Sequence, residues 1–206
     1  MQHAKAQPNA ANPIVLVPGY QDDASVLARL VTFLKDRNFR PYPISLVPSD
    51  GRVALDVLAG QVAAYVKGTF AEDQALDFVG FSMGGVVLRY YLQRLGGVER
   101  THRFVTLGTP HRGSWTSYGN NRPGVRQMRP GSAFLRDLNS DVDRLGNICF
   151  TSIWTPLDLM IIPAGSSTVA VARDEPVFTL HHRSLLTSRL SLEWVADALG
   201  RPLHLS

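Results

Sequence analysis

Apolar and polar positions alternate along this chain in two rhythms that trade places from end to end. Ile14-Val15-Leu16-Val17 is a short unbroken apolar run, the pattern of a strand buried on both faces of a parallel sheet. Pro18-Gly19-Tyr20 ends it, and Asp22 or Asp23 can cap a helix in which Leu27, Leu30, Val31 and Leu34 share one face. A second strand candidate, Pro41 to Val47, is weakened by its prolines. After the turn Pro48-Ser49-Asp50-Gly51, an amphipathic helix is marked by Leu55, Leu58, Val62 and Val66. Leu76 to Gly80 reads as the third strand and Met83 to Leu95 as a helix stopped by Gly96-Gly97. Phe104 to Leu107 is the fourth strand, Ile148 to Trp154 the fifth and Pro176 to Leu180 the sixth. Short helical spacing appears from Ser132 to Leu138, and a last amphipathic helix runs through Leu192, Val195, Ala196 and Leu199.

Strands alternating with helices predict an α/β fold: a doubly wound, mostly parallel sheet of about six strands with helices on both faces. No repeat, low-complexity tract or second domain shows, so residues 1–206 read as a single domain behind a polar tail, 1–12. Ligands in such sheets bind at the carboxyl ends of the strands. That rule selects the loops that begin at Pro18, Gly80, Gly108, Thr155 and His181.

One of those loops carries chemistry on its face. Gly80-Phe81-Ser82-Met83-Gly84 is a Gly-x-Ser-x-Gly pentapeptide between a strand and a helix, the context of a nucleophile elbow. Glycine is needed on either side because a Cβ would strike the neighbouring chain. The helix that follows aims its N-terminus at an anion forming on an attacked carbonyl. Ser82 is therefore the candidate nucleophile, weighed against a tight turn with a solvent-facing serine.

A serine hydroxyl needs a base, and the base an orienting carboxylate. In this fold the order along the chain is nucleophile, acid, histidine. Asp158 follows the fifth strand and is the candidate acid. Its rival Asp174 lies just before the sixth strand, towards the opposite sheet edge. Of the two histidines after the sixth strand, His181 extends the alternation Val177, Thr179, His181, while His182 opens the loop and is preferred as base. The backbone N–H groups of Met83 and Tyr20 are the expected oxyanion donors. His111 reads chiefly as a loop-shaping residue, and His3, His102 and His204 sit at no strand carboxyl end.

These stretches resemble the small bacterial triacylglycerol lipases and esterases of the α/β-hydrolase fold, whose smallest members lack a lid. The carriers are Val17-Pro18-Gly19-Tyr20, Gly80 to Gly85, Thr106 to Gly113, Asp158 before Ile162-Pro163, and His182 before Leu185-Leu186. The resemblance implies a triad of Ser82, Asp158 and His182 with oxyanion donors Tyr20 and Met83. It implies hydrolysis of esters with apolar acyl chains, without a cofactor. The family's His-Gly is here Pro18-Gly19, and its Gly-x-Gly-His is Thr179-Leu180-His181. Thioester hydrolysis, acyl transfer to an alcohol, and a non-catalytic binding role are the alternatives.

Composition changes this picture little. At 206 residues, with 45% hydrophobic and 18% charged, the chain suits a globular enzyme. The net charge of +4 rests on arginine, since Lys5, Lys35 and Lys67 are its lysines. No lysine run or nucleic-acid motif appears, so no nucleic-acid partner is expected. His, Asp and Glu nowhere take metal-ligand spacing, so no metal is expected. The single cysteine, Cys149, cannot form an internal disulfide and reads as a buried inert thiol. No run approaches the roughly 18 apolar residues of a membrane span. Met1 to Asn12 carry no apolar segment, which predicts a cytoplasmic protein, secretion through a removed leader being left open. The stretch from His111 to Arg136 lacks a strong strand or helix signal. It mixes Trp115, Tyr118, Met128 and Phe134 with Arg112, Arg122, Arg126, Arg129 and Arg136, uncompensated by any acidic residue in the stretch, the make-up of a cap or rim meeting an anionic lipid surface or else of a plain solvated loop.

Overall fold

The structure, a computed structural model, describes residues 12–202. The polar tail, His3 and His204 lie outside these, apart from Asn12. Six strands form one sheet in the order β2-β1-β3-β4-β5-β6, and every pair is parallel. The strands are β1 (Pro13–Val17), β2 (Arg40–Pro43), β3 (Leu76–Phe81), β4 (Thr101–Leu107), β5 (Cys149–Trp154) and β6 (Arg173–Pro176). Helices are α1 (Ala28–Lys35), α2 (Leu55–Thr69), α3 (Met83–Arg94), α4 (Pro123–Gln127), α5 (Ala133–Ser140) and α6 (Arg189–Gly200).

Strand alternation divides the core into two layers, because successive side chains leave a strand on opposite faces. Val15, Val17, Leu76 and Phe78 turn to the face covered by α2 and α3. Ile14, Leu16, Val79 and Phe81 turn to the face covered by α1 and α6. The central strands β1 and β3 are fully buried along their length, as their unbroken apolar runs require.

The edge strands depart from the sequence expectation. β6 lies at Arg173–Pro176, not Pro176 to Leu180, and it carries Arg-Asp-Glu-Pro. An edge strand is held by backbone pairing on one side and need not be apolar, while Pro176, which lacks an N–H, is tolerated there. Beyond it Val177 is buried, but Phe178 and Leu180 face outward, 77% and 70% exposed. β2 likewise stops at Pro43, short of Val47.

Helix α3 is held by a buried cation. Arg89, on its buried face, donates Nη2–H to Leu138 O at 2.7 Å, Nη1–H to Asn139 Oδ1 at 3.0 Å and His111 O at 3.3 Å, and Nε–H to Gln93 Oε1 at 3.1 Å. It thereby ties α3 to α5 and to the loop after β4. Burial pulls its pKa down to about 10. Gly80 and Gly84 set the helix against the strands. A Cβ on Gly80 would meet Gly85 Cα at 2.5 Å, and one on Gly84 would meet Val17 O and Pro18 O at 2.4 Å.

Because the atoms facing Gly80 are backbone, they cannot yield by a rotamer change. Gly80→Ala is expected to cost about 3 kcal/mol or more, above the common overpacking range. Urea unfolding measures it, and a loss below about 1 kcal/mol would mean that strand and helix separate freely.

Candidate active site

The order of the sheet reverses at β1, whose neighbours β2 and β3 are reached in opposite directions, so the crevice for a ligand lies outside the ends of β1 and β3. Ser82 stands there, immediately after β3. Its backbone is at φ +52° and ψ −121°, a region non-glycine residues rarely enter. Such a conformation costs of order 1–3 kcal/mol and persists only where the surroundings impose it. They do so here: Ser82 N–H donates to Leu107 O at 2.8 Å, and Ser82 O accepts from Gly85 N–H at 3.1 Å.

Met83 opens α3, so its N–H has no partner within the helix. Tyr20 comes three residues after β1 on the loop against which Gly84 packs. Its hydroxyl accepts from Asn120 Nδ2 at 3.2 Å, a contact that fixes the ring against the 114–120 segment. Tyr20, Ser82 and Met83 line one cavity of about 300 Å³ together with Pro110, Val125, Met128, Met160 and Ile161. Ser114, Thr116, Ser117 and Asn120 supply polar groups to the same wall.

Asp158 and His182 meet. His182 Nδ1 lies 2.7 Å from Asp158 Oδ2, and both side chains are buried. Asp158 Oδ1 accepts from the N–H groups of Met160 and Ile161 at 2.8 and 2.9 Å. With its other oxygen so engaged, the carboxylate is fixed and accepts a hydrogen bond from Nδ1–H, which leaves Nε2 as the acceptor nitrogen. Nε2 is buried and bonded to no other group. The imidazole lies 4.9 Å, centroid to centroid, from the ring of Phe81, the residue before Ser82. Gly108, at φ +54°, lets it approach, since a Cβ there would stand 2.7 Å from His182 Cε1.

The rivals fall elsewhere. His181 is exposed and caps the 3-10 turn that His182 begins. Asp174 pairs in register with Ser152 on β6 and makes no bond to either histidine. His102 faces Asn12, whose Nδ2 lies 3.1 Å from its Nδ1. Cys149 is half-buried at the start of β5, not sealed in the core. His111 is fully buried, its Nε2 3.1 Å from Thr106 Oγ1 in a hydroxyl chain that continues through Ser152 to Ser167 O.

The 111–136 stretch is more structured than its sequence suggested. A 3-10 turn at Trp115–Gly119 and α4 occupy it, and Ser114, Val125 and Met128 reach the cavity. Its arginines are mostly engaged, contrary to the uncompensated set expected. Arg122 pairs with Asp50 at 3.1 Å, and Arg112 bonds Gly165 O and Thr168 Oγ1. Arg136 donates to Gly131 O, and Arg129 donates to Ser117 O and Asn120 O and lies over the Tyr118 ring. Carbonyl oxygens of the loop take up most of these guanidinium donors, which composition cannot show. Met160 and Ile161 were the wall residues that patterning missed; their place directly after Asp158 was the available signal. Ser114 Oγ and Thr116 Oγ1 bind Met160 O at 2.9 and 2.7 Å and draw that wall onto the cavity.

Among the described residues, no group of His, Cys, Asp or Glu is arranged to hold a metal, and no helix is long and apolar enough to cross a membrane.

Sheet and elbow together define an α/β-hydrolase. The chain belongs to the palmitoyl protein thioesterase family, whose model matches residues 13–128. No curated protein sequence matches it. Among solved structures it is similar to the mature lipase BlEst2 of Bacillus licheniformis, at 16% identity over 96% of each chain with a TM-score of 0.75. It is similar to lipase B of Aspergillus fumigatus at 16% identity and a TM-score of 0.80, with 94% of this chain covering 53% of that one. The chain therefore spans about half the length of that lipase. An extracellular α/β-hydrolase from a Paenibacillus species matches at 15% identity over 91% of this chain and 98% of that one, with a TM-score of 0.66. At these identities the structural likeness is one of fold; the family match adds support for a hydrolase.

Burial, with Arg89 and Arg112 nearby, pushes the pKa of His111 well below its usual value. The unfolded chain takes up a proton near pH 6.5 that the native ring refuses, so stability is full above that pH and is lost as pH falls. The slope is up to about 1.4 kcal/mol per pH unit for one proton. His111→Gln should flatten the pH dependence of urea unfolding between pH 7 and 5 by that proton. An unchanged slope would show the native ring to be charged.

Proposed function

We propose that the protein hydrolyses carboxylic esters with apolar acyl chains, using Ser82 as nucleophile. The reading is carried by one observation: an Asp158–His182 pair with a free buried Nε2, beside a serine held at positive φ on a helix N-terminus. Ser82 Oγ attacks the acyl carbon while His182 Nε2 takes the hydroxyl proton, and the carbonyl electrons move to oxygen. The N–H groups of Met83 and Tyr20 receive that oxyanion. As the C–O bond to the alcohol breaks, the imidazolium returns its proton to the leaving oxygen. Water, deprotonated by the same nitrogen, then releases the acid and restores Ser82. Asp158 stays ionised throughout and holds the ring on its Nδ1–H.

The wall of Val125, Met128, Met160 and Ile161 suits an alkyl chain. The family match favours a second reading on the same machinery, in which the acyl group arrives as a thioester. Thiolate leaves without needing the proton that an alkoxide needs, so the two classes demand different help from His182 at the second step.

Ser82→Ala and His182→Ala should each lower hydrolysis by several orders of magnitude with the fold kept, whereas His181→Ala retains substantial activity. A panel of p-nitrophenyl esters from about two to sixteen carbons, run beside acyl-thioesters, reads the substrate class. A Ser82→Ala variant with more than about a tenth of the wild-type rate would overturn the triad.

The substrate's meeting place is part of the proposal. Leu159, Met160, Ile162, Phe178 and Leu180 are exposed on the loops after β5 and β6, beside the exposed stack of Trp115 on Tyr118. Thr155 Oγ1 donates to Thr179 O at 2.8 Å and Trp115 N–H to Ile162 O at 2.8 Å, so the three loops form one apolar border around the cavity. Such a patch on the substrate face suits contact with a lipid surface. Because the arginines are largely held by carbonyls, the apolar residues are the ones to change. Vesicles should raise the rate of the wild type on long-chain esters, and Leu159→Ser/Phe178→Ser/Leu180→Ser should lose that gain while short soluble esters are unaffected. Equal responses to vesicles in both proteins would remove the interfacial part.

A further inference from the structure

A second carboxylate stands close to the serine. Asp22 lies two residues past Tyr20, and its side chain is 6% exposed. Its Oδ2 is 3.1 Å from the point that a Cβ on Gly19 would occupy, and Ser82 Cβ is 3.2 Å from that same point. Asp22 N–H closes a turn onto Gly19 O at 3.4 Å, so Tyr20 sits inside a turn that Asp22 completes. Gln21, in the same turn, is at φ +58° and donates its N–H to Ser49 O at 3.0 Å. The turn is thus strained and anchored from outside.

The partner of this carboxylate is on the histidine loop. Arg183, directly after His182, donates Nη2–H to Asp22 Oδ1 at 2.5 Å. Burial raises the pKa of Asp22, while Arg183 and His182 oppose that rise and Asp23 adds to it. The charged groups around the His182 ring are therefore Asp158 on Nδ1, Asp22 from the loop after β1, and Arg183 from its own turn. Phe81, Gly108 and Leu185, packed about the same ring and loop, bring no charge.

We propose that the Asp22–Arg183 ion pair positions the oxyanion loop against the histidine loop and balances the charge around His182; this rests on the Ser82 hydrolase reading above. Asp22 unpaired would oppose the anion that forms at Tyr20 and Met83, and it would hold a proton on His182. Arg183 unpaired would oppose the imidazolium that must form when Ser82 attacks. Paired, the two leave Asp158 as the carboxylate whose field the ring feels. Both are positioning residues: neither touches the reacting atoms.

The two single variants shift the same titration in opposite directions, which a merely structural contact would not do. The acid limb of kcat/KM reports the free enzyme's essential base. Arg183→Gln leaves the carboxylate and should move that limb to higher pH. Asp22→Asn leaves the guanidinium and should move it to lower pH. Each shift is expected to be about half a pH unit at low ionic strength and to shrink in high salt. The double variant should return the limb to the wild-type position. Arg183→Lys, which keeps the charge, should hold it there throughout. In both singles kcat should fall about tenfold on a short soluble ester while KM changes less than about twofold, the pattern of an interaction used in the transition state.

A fluorophosphonate probe, applied to every variant, checks Ser82 separately. If the wild type is not labelled, the hydrolase reading fails and this inference with it. If it is labelled and the limb stays fixed in both singles, or moves the same way in both, the ion pair does not act on His182. Arg183 is 63% exposed, so Arg183→Gln is expected to fold, and its limb decides the matter even where Asp22→Asn does not fold.

Discussion

Everything at the site depends on a contact that only glycine permits. Strand β3 and helix α3 approach so closely at Gly80 and Gly85 that backbone lies against backbone, and α3 presses on the end of β1 at Gly84. That approach forces the connecting residue into a conformation L-residues avoid, and Ser82 is the residue caught there. Two consequences follow from one constraint. The hydroxyl is thrust out of the sheet edge, and the first N–H of α3 is left facing the same space as the loop after β1. The strain of about 1–3 kcal/mol at Ser82 is sustained by its bonds to Leu107 and Gly85 and by the buried layers behind them.

The polar groups beside that point contrast with those buried behind α3. Near Ser82 they pair carboxylate to base across loops: Asp158 with His182, Asp22 with Arg183. Behind α3 they are neutral or share their charge over carbonyls, as His111 and Arg89 do. A neutral His111 next to a buried guanidinium is consistent physics, since a second cation there would meet both the desolvation penalty and the first cation. His182, by contrast, is bonded to a carboxylate on one nitrogen and left free on the other, the arrangement that the proposed cycle of proton gain and loss needs.

Much of this was legible in the sequence, for reasons that also mark where legibility stopped. β1, β3, β4 and β5 announce themselves because they are buried on both faces, and α2, α3 and α6 because each buries one stripe. The elbow is legible because its geometry restricts residue type. β6 was not, because an edge strand needs only backbone partners, so Arg173-Asp174-Glu175-Pro176 carries no strand pattern while exposed Phe178 and Leu180 imitate one. Placing that strand too late still left His182 as the first loop position, since the 3-10 turn that starts there is what turns its ring inward. The Asp22–Arg183 pair joins residues 161 apart in the chain, a relation no local pattern carries.

The loop arginines show why composition alone misjudged the rim. A guanidinium can be satisfied by carbonyl oxygens as well as by carboxylates, and a segment folded into short turns exposes many carbonyls. Arg112, Arg129 and Arg136 hold the 111–136 segment to itself and to its neighbour at Gly165, leaving the cavity wall to Val125 and Met128. The outward face of the site is consequently apolar at its border and cationic mainly in its framework. On the proposed reading, a site that admits an alkyl group beside the Asp158–His182 pair gains from this division. On that reading the arginines stiffen the wall without placing solvated charge on an acyl chain's path, and the apolar border would lower the cost of drawing such a chain from a lipid phase.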